Sequence, residues 1–510
     1  MRMRRRSFLT RAAAGAAAAV PLARLAGAAP TQTMEPTSGG DAVARIGAFV
    51  ETVRYHWRVP GIAVAVMAAG KPLMAAGFGR RSLADDSPAD AHTAFNIGSC
   101  AKAFTAAAAA LLVDAGRIGW DDPIKPVMPE LVLDDPAVTA EVSLRDFLAC
   151  RVGLSRASIA EYGSDLSRAQ VIARARDVPR AAPFRSRFCY SDVGFILAAA
   201  AIGHLAGMPF EDFLARHLLA PLGMADSSAA PRPWLTLRNL AAPHDFLDYR
   251  PRALPPRDGD NLMGAGTLAL SAADALAWLG LQLGQSRLIS ARSLAAMQSV
   301  QIATPQRYGL GWHIGESHGR RLVAHGGETR GFTALVRILP EIGFASFVAA
   351  NSESHAPAAI SSFIDRSLNG LPPRDELDDY DTAIAERVAA AAQRYELDLK
   401  ADPLTPAALP LEAFAGTYRN RGFGTLTLAL HPEAGALRFA IADLSLYDGW
   451  LLRYGAVSFA HQEDAVPGQI RPPRPRRTLD PRVHFRAEAG RVSGLDWLDK
   501  WFGPVSFARA

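Results

Sequence analysis

The sequence predicts an α+β protein: a mixed antiparallel sheet flanked by helices, an all-helical region beside it, and a small antiparallel β domain at the end of the chain. Three observations carry this reading. Strand-like runs stand near both ends of the segment 42–368: "GIAVAVMAAGKPLMAAGFG" early, then "YGLGWHI", "RRLVAHGG", "FTALVRILP" and "FASFVAANS" from near residue 308. One sheet closed by distant parts of the chain accommodates both sets. The stretch between, from Ser99 to about residue 290, reads as helical with Pro- and Gly-rich connections. Beyond Leu411, runs such as "GTLTLALH", "GALRFAI", "RVHFRAEAGRVSGLDWL" and "GPVSFAR" alternate apolar and polar residues between tight glycine turns. That alternation marks an antiparallel sheet with one buried face.

Taken in order, residues 1–28 read as an export signal. A charged start, "MRMRRRSFLT", precedes a short apolar run and the cleavage pattern Ala26-Gly27-Ala28. "RRSFLT" resembles a twin-arginine signal, which implies export to the bacterial periplasm; a general secretory signal is the alternative. No later segment has the uninterrupted apolar length of a membrane span. Next, Val43, Ile46, Phe49 and Val53 in "DAVARIGAFVETVRYHW" have helical spacing. The segment 42–368 is followed by a Pro-rich linker, 369–410, with a charged helix around Thr382 to Arg394, and by the β domain, 411–510.

At 510 residues, with 49% hydrophobic and 21% charged residues, the chain has an ordinary globular balance and length for more than one domain. Its formal charge of +5 is misleading, because the first 28 residues carry six arginines and no acid. The remainder is close to neutral, which argues against nucleic acid as a partner. Cys100, Cys150 and Cys189 are too few for a disulfide framework or a zinc site and read as small buried side chains, with a Cys150–Cys189 bridge as the alternative. His244, His313, His318 and His355 lack metal-ligand spacing, so no cofactor is expected.

The informative stretch is "NIGSCAKAFTAAAAALLVDAGRI". If a helix begins near Gly98, Ser99 and Lys102 share a face, with Cβ atoms about 5–6 Å apart. The run from Ala103 to Val113 is apolar all round, so this helix is buried and its lysine must be exposed, paired or neutralised. A neutral amine there can take the proton of a serine hydroxyl. A serine three residues before a lysine recurs by chance; two companions give it force. Tyr190 opens another apolar helix in "FCYSDVGFILAAAAIGHLAG", with Asp192 two residues on, and His325-Gly326-Gly327 ends one strand beside the next.

In this order the three elements resemble the S-x-x-K, Y-x-N and K-T-G motifs of the penicillin-recognising serine hydrolases: class C β-lactamases, DD-peptidases, and related esterases and D-aminopeptidases. The resemblance extends through "LLVDAGRIGWDDPIKPVMPEL", "VSLRDFLACRVGLSR", "FEDFLARHLLAPLGMADSS" and "GAGTLALSAADALAWL", over about residues 42 to 368. It implies Ser99 as the acylated nucleophile, Lys102 as its proton acceptor and Tyr190 as the relay to the leaving group and the deacylating water. It also implies an oxyanion hole from the backbone N–H groups of Ser99 and Glu328, with Asp192, His325, Gly326 and Gly327 lining the substrate side.

The implied activity is metal-free hydrolysis of a small ester or amide, including D-amino acid derivatives and short peptides. A β-lactamase or DD-carboxypeptidase is the alternative, and a non-catalytic binding protein a more distant one. Two departures bear on this: His325 stands where the family has lysine, which argues against carboxylate-bearing substrates, and Asp192 stands where it has asparagine. The segment from Leu411, with "FAGTYRNRGFGTLTL", resembles the lipocalin-like β domain appended to some members.

Overall fold

The computed structural model describes residues 39–156, 164–247, 250–302, 304–405, 408–463, 482–499 and 503–510. The export-signal reading of residues 1–28 falls outside them. Helix α1 (Gly39–His56) leads into strands β1 (Gly61–Ala68) and β2 (Lys71–Gly79), joined by a turn at Gly70. The helical region follows, with α2 (Ala101–Asp114), α3 (Asp192–Ala206) and α4 (Ala272–Gln282) as its longer members. Strands β3 (His313–Ser317), β4 (Arg320–Thr329), β5 (Phe332–Leu339) and β6 (Phe344–Ala350) then return to the sheet, and α5 (Ala356–Leu368) covers it.

The six strands lie in the order β2-β1-β6-β5-β4-β3, every neighbouring pair antiparallel. The join between distant parts of the chain is β1 against β6, where Val64 faces Val348 and Ala65 faces Phe347. Both strands are buried on both faces, which is why they read as continuous apolar runs. Alternation along them still sorts the side chains. Ile62, Val64 and Val66 join Phe344 and Val348 against Ile46 and Val50 of α1 and Ile360 and Ile364 of α5. Ala63, Ala65 and Ala349 belong to the core on the opposite face, where their small side chains let the helical region approach closely. There Phe104 of α2 stacks on Trp278 of α4, ring centroids 3.7 Å apart.

Helix α6 (Glu376–Ala401) begins earlier and ends later than the sequence pattern suggested. Its sequence holds neither proline nor glycine, and Glu376, Asp378 and Asp379 complement the helix dipole in the first turn. Asp381 fastens it to the end of α1, accepting from Trp57 Nε1 at 3.0 Å and meeting His56 Nε2 at 2.7 Å.

The C-terminal β domain is a closed eight-stranded antiparallel barrel and a separate domain: β7 (Gly416–Asn420), β8 (Gly424–His431), β9 (Ala436–Ile441), β10 (Gly449–Arg453), β11 (Ser458–Glu463), β12 (Arg482–Glu488), β13 (Arg491–Asp499) and β14 (Gly503–Arg509). Pairing of Tyr418 with Arg509 closes the circle. Closure removes the exposed edges that an open sheet of this length would present. Inward-facing residues such as Phe439, Phe459, Phe485 and Trp497 fill its core.

Among the described residues no single helix is long and apolar enough to cross a membrane.

Candidate active site

The site lies where the helical region meets the sheet, and it begins with a close passage of two backbones. A short turn, Gly98–Cys100, precedes α2 and carries the partly exposed Ser99. Strand β4 runs directly against this turn. A Cβ on Gly327 would lie 1.8 Å from the Ile97 carbonyl oxygen, and a Cβ on Gly98, whose φ is +50°, would lie 2.6 Å from the backbone nitrogen of Glu328. Only glycine fits either position. The backbone of Glu328 is thereby held beside the serine turn, and Asn96 ties the two together by accepting from Gly98 N at 2.9 Å and Thr329 Oγ1 at 3.3 Å. Gly326, by contrast, has nothing nearer than 3.8 Å to a hypothetical Cβ.

One helical turn beyond Ser99, Lys102 is fully buried. Its ammonium has three protons and three acceptors: Ser99 Oγ at 3.0 Å, the Ala265 carbonyl at 2.8 Å, and a short contact to Asp192 Oδ1. Burial is the largest influence on Lys102 and favours the neutral amine. The Asp192 carboxylate, with a smaller contribution from Tyr190, more than reverses it and holds the ammonium above the usual lysine range. Asp192 is the first residue of α3, where the helix dipole favours a negative charge. The two helices thus aim opposite charges at each other from their N-terminal ends.

Tyr190 lies between two cations, its ring centroid 4.8 Å from Lys102 Nζ and 4.9 Å from the guanidinium carbon of Arg156. Burial pushes its phenol up to about 12; Asp192 adds to the rise, and Lys102 and Arg156 oppose it. The hydroxyl is therefore neutral near pH 7.

His325 sits close by, its ring 6.3 Å from that of Tyr190, but both of its nitrogens face protein. Nδ1 is 2.6 Å from the Gly326 carbonyl, which can only accept, so Nδ1 carries the proton. Nε2 then accepts from the Tyr308 hydroxyl at 2.9 Å. Burial, His313 and Lys102 together hold the imidazole well below its usual pKa. His325 is a neutral structural group behind the site rather than a cation facing substrate. His313, held down to about 4 chiefly by burial, and Phe188 complete this aromatic wall.

The three cysteines are free thiols. Cys100, beside the serine, donates its thiol to the His325 carbonyl at 3.1 Å and is pushed up to about 12 by burial, so it offers no thiolate. Cys150 and Cys189 are backbone neighbours, Cys189 N donating to the Cys150 carbonyl at 2.8 Å.

Ser99, Lys102, Tyr190, Asp192 and the backbone of Glu328 are therefore brought together. The sequence reading missed Tyr308, His313, Arg156 and the Ala265 carbonyl. The sequence marks "YGLGWHI" as a strand and a family-like segment but gives its tyrosine no role, yet Tyr308 precedes β3 and donates its hydroxyl to His325. Among the described residues no group of three or more His, Cys, Asp or Glu side chains is placed to hold a metal ion. A partly exposed hydroxyl hydrogen-bonded to a buried lysine, with backbone N–H groups alongside, is suited to acyl transfer.

A sequence profile of the beta-lactamase family matches residues 48–365. The chain belongs to that family. It is similar to the unguisins hydrolase ungD of Aspergillus violaceofuscus, 28% identical over 436 residues and 75% of each chain. It is also similar to a D-aminopeptidase of Brucella canis, 26% identical over 390 residues, 74% of this chain and 70% of that one. The octameric penicillin-binding protein homologue from Pyrococcus abyssi shares the fold, with a TM-score of 0.59 at 20% identity over 91% of this chain and 99% of that one.

Replacing Tyr308 with phenylalanine removes the donor to His325 Nε2 and leaves a buried acceptor unsatisfied. The expected cost is about 1–3 kcal/mol of stability, read from chemical denaturation. An unchanged midpoint would show that this hydroxyl contributes nothing to the wall.

Proposed function

We propose that this chain is a serine hydrolase that forms an acyl-enzyme on Ser99 and cleaves a small ester or amide, with D-amino acid derivatives and short peptides as the favoured substrates. The observation that carries this reading is the 3.0 Å contact between Ser99 Oγ and Lys102 Nζ inside a buried ion pair with Asp192. Ser99 Oγ attacks the carbonyl carbon while the backbone N–H groups of Ser99 and Glu328 receive the developing oxyanion. An ammonium cannot accept the serine proton, so Lys102 passes one proton to Asp192 as it takes one from Ser99. Lysine and aspartate act as a unit, and the proton gained there leaves through Tyr190. The neutral Tyr190 hydroxyl protonates the leaving group and, with a water in its place, runs the step in reverse to release the acid.

The kinship to a D-aminopeptidase supports substrates with a free amine, and the Asp192 carboxylate gives such an amine a partner. A β-lactamase or DD-carboxypeptidase is the second reading; the neutral, internally bonded His325 gives a substrate carboxylate no cation at that position. The arginine-rich leader supports action after export to the bacterial periplasm.

Parallel treatment with a fluorophosphonate, a nitrophenyl ester and a penicillin, followed by intact mass, separates these substrate classes. Ser99→Ala is expected to abolish acylation by all of them and to lower turnover by several orders of magnitude, because the adjacent Cys100 thiol is un-ionised and turned to β4. Full activity in this variant would sink the mechanism.

Asp192→Asn removes the charge that raises the Lys102 pKa, so the amine loses its proton at lower pH. The limb of the kcat/KM profile that reports this loss should move down by about 1–3 pH units for a neutral ester. For a substrate with a free amine, KM should also rise. Superimposable profiles on both substrates would confine Asp192 to a structural role.

A further inference from the structure

The barrel meets the rest of the chain at a turn between β9 and β10, residues 442–445, and this meeting point leads inward to the catalytic lysine. Asp165 N donates to the Asp443 carbonyl at 2.8 Å, and Ser445 N donates back to Asp165 Oδ2 at 2.8 Å. Arg174 holds Asp443 Oδ2 at 2.9 Å, and Arg257 holds Asp165 Oδ1 at 3.3 Å. Asp165 itself is exposed, but its neighbour Ser164 is buried and accepts from Asn261 Nδ2 twice, through its carbonyl and its hydroxyl, each at 2.9 Å. Asn261, also buried, opens the loop that ends at Gly266. That loop is folded on itself by the Ala265 N to Leu262 carbonyl bond at 2.9 Å, and it is tied to α2 by Thr105 Oγ1 on the Gly264 carbonyl at 2.6 Å. Its Ala265 carbonyl is one of the three acceptors of the Lys102 ammonium.

We propose that the barrel is a brace for the acylation centre, and that Asp165 is the positioning residue through which it acts, by way of Ser164 and Asn261, on the carbonyl that aims Lys102 at Ser99. The proposal rests on the reading of Ser99 and Lys102 as the acylating pair. With the Ala265 carbonyl displaced, the ammonium keeps only Asp192 and the Ser99 hydroxyl as acceptors, and its third proton no longer fixes its direction toward the serine. Misplacement of a catalytic group in this way costs rate rather than substrate affinity.

Three full-length variants test this: Asp165→Ala, Asp165→Asn and Arg421→Ala. Arg421 makes a different contact between barrel and hydrolase domain, to Asp177 Oδ1 at 3.1 Å and the Arg176 carbonyl at 3.0 Å, and it bonds neither Asp165 nor residues 259–266. Asp165→Ala is expected to speed amide exchange in residues 259–266 by about tenfold and to lower kcat for a nitrophenyl ester by about tenfold at unchanged KM. Asp165→Asn should restore both, since its amide oxygen still accepts from Ser445 N, and Arg421→Ala should move neither. Wild-type exchange in residues 259–266 of Asp165→Ala would overturn the proposal, as would equal effects from Arg421→Ala. The exchange measurement needs no turnover, so it judges the brace even if Ser99 proves unreactive.

Discussion

The molecule is organised around one buried ion pair. Lys102 has no exposed surface, and a lone ammonium in that position would be untenable. Asp192 makes it tolerable from the start of a second helix, and the Ala265 carbonyl and Ser99 hydroxyl use the remaining protons. Breaking such a pair by removing one partner typically costs about 3–5 kcal/mol, since a charge is left buried without compensation. The pair therefore constrains how α2 and α3 meet. Their alanine-rich faces, Ala103 to Ala110 and Ala198 to Ala201, supply the small surfaces that let them come close enough to do so.

Around the pair, the chain spends its conformational freedom on bringing backbone to backbone. Gly98 and Gly327 let β4 touch the serine turn, which sets Glu328 N beside Ser99. Because β4 is held by β5 on one side and β3 on the other, the position of that nitrogen is a property of the sheet. The sheet in turn is completed by β1 and β2 from far earlier in the chain. Site geometry and long-range topology are one constraint seen at two scales.

Much of this was legible in the sequence because it was periodic or ordered. The apolar helix behind Lys102, the alternation in "GTLTLALH" and "GPVSFAR", and the order of serine, tyrosine and histidine elements all survive without a structure. What escaped was contributed by single atoms from irregular segments. The Ala265 carbonyl carries no side-chain signal, and Tyr308 reaches His325 across strands whose register no local pattern reveals. The character of His325 was also hidden. Its type suggested a substrate contact, whereas its hydrogen bonds and burial make it a neutral part of the wall. The full length of α6 was underestimated because its apolar periodicity is weak, while no proline or glycine interrupts the helix between Glu376 and Ala401.

The central claim, that Lys102 rests as an ammonium locked to Asp192, is open to direct observation because the chain has only five lysines: Lys71, Lys102, Lys125, Lys400 and Lys500. Nuclear magnetic resonance of protein labelled with nitrogen-15 at the lysine Nζ atoms, followed over pH and assigned by a Lys102→Arg variant, reads the protonation of each. The account predicts that the Lys102 signal remains that of an ammonium above the usual lysine range. A Lys102 that is already a neutral amine at pH 7 would contradict it, and would make the lysine a ready base that does not depend on Asp192.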